Sequence, residues 1–526
     1  MAEKIYPIGI QTFSEIREKD FKYVDKTSLI YNLVSKGKYY FLSRPRRFGK
    51  SLLLSTIESL FLGKRELFKG LAINSMDWNW EVHPVFHLAL NAQDYNSVEA
   101  LDEVLNLHLK RWEKQYDVKR NDSNLSPSMR FTELILNVYD KTGKQVAILI
   151  DEYDQPLLHN IESDKRELQD NLRSRLHAFF SVLKAMDRYI CFGMLTGVTK
   201  FSKVSVFSGL NNLDDISLDP RYNALCGISE SELAAQFKPD VEEFAAAQEM
   251  TEAEIYGRLR KDYDGYHFAR SGEGIYNPFS LLKAFDKKDF GSYWFESGNP
   301  RFLNTIIKER DWDLSDIGDS TRSEQSLSGY DIYMTDPIPL LYQSGYLTIK
   351  GFDPKFREYR LGFPNEEVAQ GFAEGFLKSI SNEEDPMSFI KNFTKDVEKG
   401  DAEAFMNRLQ SFLADFPYDQ IRDLEVHWQN VMYLIMKLMG FYVRTEYKTS
   451  DGRIDMVVKT DRYIYVMEFK LKSTSKAAMQ QIKDKEYALP FMSDGREVIL
   501  IGAAFSPKTR RLKKWLIEKM FKHKFR

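Results

Sequence analysis

The sequence predicts an α/β protein, and three observations lead to that class. A short apolar strand near residue 40 runs into a Gly-Lys-Ser sequence and then a helical pattern. A second apolar strand ends in two acidic residues near residue 151, and a hairpin near the carboxyl end carries an aspartate and a Glu-x-Lys sequence. Strands that alternate with helical segments are typical of a parallel sheet covered by helices. Because the chain has 526 residues, it exceeds a single core, and we expect two to four domains.

The composition is that of a water-soluble protein, with 43% hydrophobic and 29% charged residues. No apolar run has the length of a membrane span and the N-terminus lacks the apolar core of a signal peptide, so we expect a cytoplasmic protein with no membrane partner. Cys191 and Cys226 lack metal-ligand spacing, and we expect both to be reduced. The net charge of −3 argues against a globally basic nucleic-acid-binding protein, although the carboxyl tail is strongly basic.

The first motif is the segment 43–51, which follows the apolar run 39–42 and precedes a helical pattern. Strand, loop, Gly-Lys-Ser and helix is the context that a phosphate-binding P-loop requires. In such a loop backbone N–H groups surround the phosphates, Lys50 reaches the outer phosphates and the Ser51 hydroxyl meets Mg²⁺. The usual pattern has glycine where this chain has Arg44, so an ordinary strand-to-helix turn with a solvated Lys50 stays an alternative on this segment alone.

The second motif is the run 146–150, five apolar residues that end in Asp151 and Glu152. A run of this kind suits a strand buried on both faces of a parallel sheet, and ligands bind at the carboxyl ends of such strands. Asp151 is expected to hold Mg²⁺ and Glu152 to orient and deprotonate the attacking water. A third strand over 189–196 ends in Thr196, which is expected to sense the terminal phosphate from between the other two strands.

These motifs resemble the bacterial AAA-ATPase-like family over about residues 5 to 285. The resemblance rests on the segments 44–51, 151–154, 196–198, 207–213, 263–266 and 276–280. In that family the Arg-Pro-Arg-Arg-Phe-Gly-Lys-Ser loop is the usual form, so Arg44 is no departure from it. The resemblance implies an ATPase core that binds ATP and Mg²⁺ through Arg46, Arg47, Phe48, Gly49, Lys50, Ser51, Asp151 and Thr196.

The middle of the chain is predicted to be a connector. Short helical patterns and a small β-wing over 286–400 suit a helical or winged-helix-like lid. We therefore expect a P-loop domain over 1–285, a connector over 286–400 and a third domain over 401–526.

The third motif lies in the predicted hairpin of the last domain, after a helix expected over 425–439. Alternate residues of a strand share a face, so Glu468 and Lys470 are expected to project together, and the hairpin can bring Asp455 beside Glu468. Two carboxylates so placed bind a hard cation such as Mg²⁺, and a neighbouring lysine can position water or stabilise phosphate charge.

This Asp…Glu-x-Lys arrangement resembles that of PD-(D/E)xK nucleases, which implies an α/β/α fold and a metal-dependent nuclease that acts on nucleic acid, with DNA preferred. Gln481, on the following helix, is expected to be a further site residue. Glu425 and Glu446 compete for an additional acidic role. The alternative is a nuclease fold that has lost catalysis and is retained for binding. The basic tail is predicted to be a helix with Trp515, Leu516 and Phe521 packed inward.

The combined prediction is a cytoplasmic bacterial protein in which an ATPase controls a nuclease. One alternative is an ATP-dependent switch whose nuclease-like domain only binds nucleic acid or protein. Another is a scaffold that forms a homo-oligomer with ATP, in which Arg46 or Arg47 acts on a neighbouring subunit's phosphate.

Overall fold

A computed structural model gives the fold of the chain. It describes residues 5–91, 94–119, 125–160, 165–200, 212–296, 314–327, 336–381, 385–414, 424–440, 444–450, 453–470, 473–506 and 511–520. The chain divides into two units, Met1–Phe302 with Asp319–Glu367, and Leu303–Gly318 with Val368–Arg526. Each unit is described by itself. The predicted division at residues 285 and 400 stays a prediction.

A parallel sheet of five strands is the centre of the first unit. Its strands are β1 (Tyr39–Ser43), β2 (Val85–Ala89), β3 (Val146–Asp151), β4 (Ile190–Gly197) and β5 (Asp214–Asp215). The order across the sheet is β2-β3-β4-β1-β5, and every neighbouring pair is parallel. All six residues of β3 are buried, as expected for a strand covered on both faces. The predicted parallel α/β core is confirmed, and β4 lies between β1 and β3 as the sequence suggested.

Helices cover this sheet, and several of them begin at clear sequence signals. The helix after the phosphate loop starts at Lys50, directly after Gly49, whose φ of 88° is in the left-handed region. Ser97 and Ser126 cap two further helices through their side chains. The helices are α1 (Phe13–Glu18), α2 (Thr27–Lys36), α3 (Lys50–Phe61), α4 (Val98–Gln115), α5 (Pro127–Thr142), α6 (Gln155–Leu158), α7 (Arg166–Phe180) and α8 (Val182–Ala185).

The rest of the first unit is mainly helical and adds two small sheets. The aromatic residues Phe237, Phe244 and Phe285 form the centre of its own core. The helices are α9 (Glu230–Gln236), α10 (Lys238–Gln248), α11 (Glu252–Tyr263), α12 (Pro278–Lys287), α13 (Tyr293–Glu296), α14 (Glu324–Leu327) and α15 (Ile338–Ser344). The strands are β6 (Ile228–Ser229), β7 (Ile275–Tyr276), β8 (Ser320–Ser323), β9 (Thr348–Asp353) and β10 (Glu358–Gly362), of which β8, β10 and β9 form one antiparallel sheet.

The second unit contains a mixed sheet between helices. Its strands are β11 (Arg444–Ser450), β12 (Arg453–Lys459), β13 (Tyr463–Lys470), β14 (Glu497–Ser506) and β15 (Arg511–Met520), in that order across the sheet. Only β13 and β14 are parallel among these pairs. The helices are α16 (Glu366–Ile380), which begins in the first unit, α17 (Pro386–Lys399), α18 (Ala402–Ala414), α19 (Leu424–Met439) and α20 (Ser475–Asp484). The mixed sheet with its helices agrees with the α/β/α domain expected here.

Two contacts determine how the helices cover this sheet. A Cβ on Gly502 of β14 would lie 2.5 Å from the backbone nitrogen of Met479, so the glycine lets α20 pack directly on the strand. From α17, the Val397 carbonyl accepts a hydrogen bond of 2.8 Å from the Tyr465 hydroxyl of β13. Tyr465 and Glu468 are three residues apart, so their side chains leave opposite faces of β13.

The prediction of a helical tail is wrong, because residues 511–520 form β15. This strand pairs antiparallel with β14, and Leu516, which the helical pattern placed inward, is 38% exposed. The Trp515 indole instead donates to the Glu403 carboxylate. A short run of mixed apolar and basic residues fits both the helical period of 3.6 residues and the strand period of 2. Pairing with a neighbouring strand decides between the two structures. Phe521 lies outside the described residues.

Two simpler expectations can be compared with the described structure. Cys191 and Cys226 are free cysteines, in agreement with the prediction. In the described parts of the chain, every helix is too short or too polar to span a membrane.

Candidate ATP and nuclease sites

Arg44 fixes the start of the phosphate loop. Its side chain is buried, and its guanidinium donates to the backbone carbonyls of Ser43, Ser217 and Tyr222 at 2.9, 2.8 and 3.1 Å. A side chain so engaged points away from the ligand side of the loop. Arg44 therefore takes the place of the usual glycine as an internal tether, which explains how an arginine is tolerated there.

Lys50 lies across the base of the loop. Its side chain is only 5% exposed, and its ammonium donates to the carbonyls of Arg44 and Pro45 at 2.9 and 3.1 Å. The loop turns through Arg47 and Gly49, with φ values of 68° and 88°. The ammonium is thus held within the loop, next to the position at which a phosphate would bind.

Asp151 brings three predicted residues together. One carboxylate oxygen accepts from the Ser51 hydroxyl at 2.5 Å, and the other accepts from the Thr196 hydroxyl at 2.6 Å. Asp151 and Thr196 are both buried. A carboxylate and hydroxyls are hard oxygen ligands of the kind that Mg²⁺ prefers, so the donor set fits this cation.

Glu152 follows Asp151 with a φ of 53°, a conformation in which the chain turns sharply at the end of β3. Its side chain lines the cavity beside the loop. Burial raises the pKa of the Glu152 carboxyl, and the charges of Lys50 and Arg46 oppose that rise. A carboxylate with a raised pKa accepts a proton more readily, which is the property expected of a general base.

A cavity of about 460 Å³ lies beside the loop. Arg46, Arg47, Gly49, Lys50 and Ser51 line it, so most of the predicted loop residues converge on one space. The remaining lining residues come from other elements: Pro7, Ile8, Gly9, Ile10, Gln11, Leu52, Asn91, Glu152, Gln155, His159, Pro278, Phe279 and Leu282. A space of this size is within the range of ligand-binding pockets in proteins.

Among the loop residues that were predicted to bind ATP, Phe48 is the one that does not line this cavity. It is 1% exposed and packs against Tyr266 and Phe268, with ring centroids 4.7 and 5.3 Å away. Its ring thus helps to hold the loop in place, and Phe48 borders a smaller apolar cavity instead. Sequence spacing cannot distinguish these two uses of a residue within a loop.

Four polar residues of the cavity escaped the sequence analysis: Gln11, Asn91, Gln155 and His159. Asn91 comes two residues after β2, and a polar residue that closely follows a buried strand was a usable signal. Gln155 and His159 lie in and next to the short helix α6, and only the folded chain brings them to the loop. Burial lowers the pKa of the His159 imidazole.

The predicted residues of the second site meet through the strand register. Asp455 of β12 is directly paired with Glu468 of β13. The Lys470 ammonium forms an ion pair with the Glu468 carboxylate, with an N–O distance of 2.8 Å, and donates a hydrogen bond to the Gln481 side-chain oxygen at 2.5 Å. The Gln481 amide donates in turn to the Tyr487 hydroxyl at 3.4 Å. The structure therefore brings Glu468, Lys470 and Gln481 into one cluster.

Some of the predicted acidic groups lie outside the described part of the structure. These are the side chains of Asp455, Glu425 and Glu446. Among the described residues, no group of three or more His, Cys, Asp or Glu side chains forms a metal site.

Comparisons with known proteins find both predicted families in this chain. A family model described as "Predicted AAA-ATPase" matches residues 7–207, and a model of the PD-(D/E)XK nuclease superfamily matches residues 423–515. A protein from the vnfD 5′ region of Azotobacter chroococcum is 36% identical over 543 aligned residues, which cover 99% of this chain and all of the relative. The chain belongs to the AAA-ATPase-like family with a PD-(D/E)XK nuclease superfamily domain. No solved structure matches it.

This membership confirms the resemblance predicted from the motifs. The AAA-ATPase-like match contains the phosphate loop, Asp151 and Thr196, and the nuclease superfamily match contains Asp455, Glu468 and Lys470. The roles of the individual residues remain predictions.

Proposed function

We propose that the first unit binds and hydrolyses ATP with Mg²⁺. The observation that carries this proposal is the hydrogen bonding of Asp151 to both Ser51 and Thr196, because Ser51 lines the same cavity as Lys50. These are the groups that a phosphate and its metal ion need, and they come from three separate parts of the chain.

Each residue has a distinct task in this proposal. The Lys50 ammonium leaves the Arg44 and Pro45 carbonyls and neutralises the outer phosphates. Ser51 and Asp151 would hold Mg²⁺, which supplies further charge stabilisation when bound. Glu152 orients a water molecule and accepts its proton, and Thr196 donates its hydroxyl hydrogen to the terminal phosphate.

A smaller apolar cavity of about 100 Å³ supports a nucleotide as the ligand. It shares Pro7, Gly49, Leu52, Pro278 and Leu282 with the larger cavity, so the two adjoin. Its other walls include Tyr23, Cys226 and Phe237. A nucleotide has a flat base at one end and charged phosphates at the other. The apolar cavity suits the base, and the larger polar cavity suits the phosphates.

We further propose that the second unit is a Mg²⁺-dependent nuclease that acts on nucleic acid, preferentially DNA. Asp455 and Glu468 would hold the metal ion, and Lys470 would position the attacking water or stabilise the charge that develops on the phosphate. Gln481 accepts a hydrogen bond from Lys470 and so orients the ammonium. ATP binding in the first unit would control this activity in a cytoplasmic bacterial protein.

The test is incubation of the full chain with DNA and with RNA, in Mg²⁺ or Mn²⁺, with and without ATP. Cleavage that disappears in Asp455→Ala and in Lys470→Ala supports the nuclease. ATP hydrolysis that disappears in Lys50→Ala supports the ATPase. Light scattering with and without ATP tests for a homo-oligomer, in which Arg46 or Arg47 would reach a neighbouring subunit's phosphate.

A second candidate function is an ATP-dependent switch whose nuclease-like domain binds nucleic acid or protein without cleavage. The observation that favours it is that the described groups of the second site already engage one another. Glu468 is fully buried, and Lys470 forms an ion pair with Glu468 and a hydrogen bond with Gln481. Binding of DNA without products in every metal and nucleotide condition supports this candidate over the nuclease.

A further inference from the structure

The carbonyl groups of the phosphate loop need donors behind the loop. A loop that turns its N–H groups toward an anion must turn carbonyls away from it, and buried carbonyls require partners. The Lys50 ammonium serves the carbonyls of Arg44 and Pro45. In the proposed ATP complex this ammonium moves to the phosphates, so those two carbonyls lose their donor.

The next carbonyl has a donor that does not depend on Lys50. The indole Nε1 of Trp294 donates to the Arg46 carbonyl in a long hydrogen bond of 3.4 Å. Trp294 is 6% exposed, and its ring packs edge-on against Tyr346 with centroids 5.0 Å apart. The indole is therefore held in place behind the loop by packing as well as by this hydrogen bond.

A buried carboxylate fixes the backbone of the same tryptophan. One oxygen of Glu367 accepts from the Trp294 backbone N–H at 2.7 Å and from the Ser280 hydroxyl at 3.1 Å. Its other oxygen, Oε2, is buried and has no hydrogen-bond partner among the described residues. Glu367 is the last residue of the first unit, so this carboxylate ties α13 to the end of that unit.

A second contact supports the loop from behind. Gly345 has a φ of 90°, and a Cβ at this position would lie 2.6 Å from Pro45 Cβ. The glycine therefore lets the end of α15 press directly against the loop. The proposed function gives no task to Trp294 or to Gly345.

We infer that Trp294 is a positioning residue for the binding of ATP phosphates and that Glu367 holds it in place. Its indole keeps the Arg46 carbonyl turned away from the cavity when Lys50 leaves the loop, so the loop N–H groups stay directed at the phosphates. This inference rests on the proposed ATP site.

The experiment measures ATP affinity by calorimetry and the kinetics of hydrolysis for Trp294→Phe in the full chain. The matched control is Trp515→Phe, which removes an indole hydrogen bond to Glu403 in the second unit. We expect Trp294→Phe to weaken ATP binding about tenfold and to raise KM more than it lowers kcat. The control should bind ATP like the unmodified protein. A Trp294→Phe affinity within about twofold of the unmodified protein overturns the inference.

Two further variants decide the matter if Trp294→Phe does not fold. Glu367→Gln keeps an oxygen that can accept from the Trp294 N–H, whereas Glu367→Ala removes it. We expect weaker ATP binding for Glu367→Ala than for Glu367→Gln, and equal affinities overturn the inference. If the unmodified protein itself does not bind ATP, the proposed ATP site fails and the inference fails with it.

Discussion

Asp455 and Glu468 are directly paired in the backbone register of β12 and β13. In an antiparallel pair, residues opposite each other share a face of the sheet, and their Cβ atoms lie about 5 Å apart. Lys470 shares the face of Glu468 and forms an ion pair with its carboxylate. One hairpin thus places the acidic pair and the amine of the proposed nuclease site at neighbouring positions.

The Lys50 ammonium is the first group to test in the ATP site. Lys50→Ala should weaken ATP binding roughly 10- to 100-fold, because the variant loses a charged donor in a buried site. Lys64→Ala is the matched control, since Lys64 is an exposed lysine just after the same helix. Calorimetric titration with ATP measures the affinity of both variants. Equal affinities for the two variants would contradict the assignment of Lys50.

Glu152 is expected to act in hydrolysis and not in binding. Glu152→Gln should retain ATP affinity and lower kcat by about 10² to 10⁴, the usual range for loss of a general base. Glu249→Gln is a matched control, because Glu249 has nearly the same φ, 54° against 53°, and is exposed on another helix end. Phosphate release assays compare the two, and a Glu152→Gln kcat equal to that of the control removes Glu152 from the mechanism.

Lys470 is expected to be needed for cleavage. Lys470→Ala should lower the cleavage rate by about 10² or more, because it removes the charged donor that forms an ion pair with Glu468. The control is Lys483→Ala. Lys483 lies on α20, as Gln481 does, and forms an exposed ion pair with Glu518 of β15. Gel analysis of DNA products measures both rates. If Lys483→Ala is impaired as strongly as Lys470→Ala, the loss reflects folding and not chemistry.

Gly502 should be intolerant of any side chain. Gly502→Ala places a Cβ 2.5 Å from the Met479 backbone nitrogen, so α20 must move and the free energy of unfolding should fall by about 1 to 3 kcal/mol. At Gly495 a Cβ meets nothing within 4 Å, which makes Gly495→Ala the matched control. Denaturant unfolding gives both values. Similar stabilities would show that α20 does not rest on Gly502.

Glu367 should make stability depend on pH. Burial raises the pKa of its carboxyl to about 7, against the opposing effect of hydrogen bonds from Trp294 and Ser280. Between the ordinary value of 4.5 and this folded value, the folded protein binds the proton more tightly than the unfolded chain. The contribution of Glu367 to the free energy of unfolding is therefore complete at low pH. It is lost as the pH rises toward and through 7, and the free energy of unfolding falls by up to about 3 kcal/mol.

Glu367→Gln removes this titration. The free energy of unfolding of the variant, relative to the unmodified protein, should therefore rise between pH 5 and pH 8. Denaturant unfolding at both pH values supplies the comparison. A difference between the two proteins that is the same at both pH values would mean that Glu367 ionises normally.

Local spacing was enough to predict much of both sites. The Gly-Lys-Ser sequence after a strand located Lys50 and Ser51, and the alternation of side chains along a strand placed Glu468 and Lys470 on one face. The parallel order that puts β4 beside β3 also agrees with the expectation for Thr196. In each case the decisive information lies within a few residues of the chain or in a well-known strand order.

Other features depend on contacts between distant parts of the chain. Residues 511–520 suit a helix in isolation, but pairing with β14 makes them a strand. Trp294 reaches Arg46 across 248 positions, and no local pattern marks that contact. Phe48 was assigned to the ligand because it lies in the loop, but the packing of its ring against Tyr266 comes from a residue 218 positions away, and no local pattern marks it. Burial by distant residues decides such cases.

The most direct test of the account is cleavage of DNA by the full chain, with Mg²⁺ and ATP, compared among the unmodified protein, Glu468→Gln and Lys50→Ala. We predict products from the unmodified protein, none from Glu468→Gln and an altered yield from Lys50→Ala. Products that are unchanged in Glu468→Gln, or their absence in every metal and nucleotide condition, would contradict the proposed nuclease.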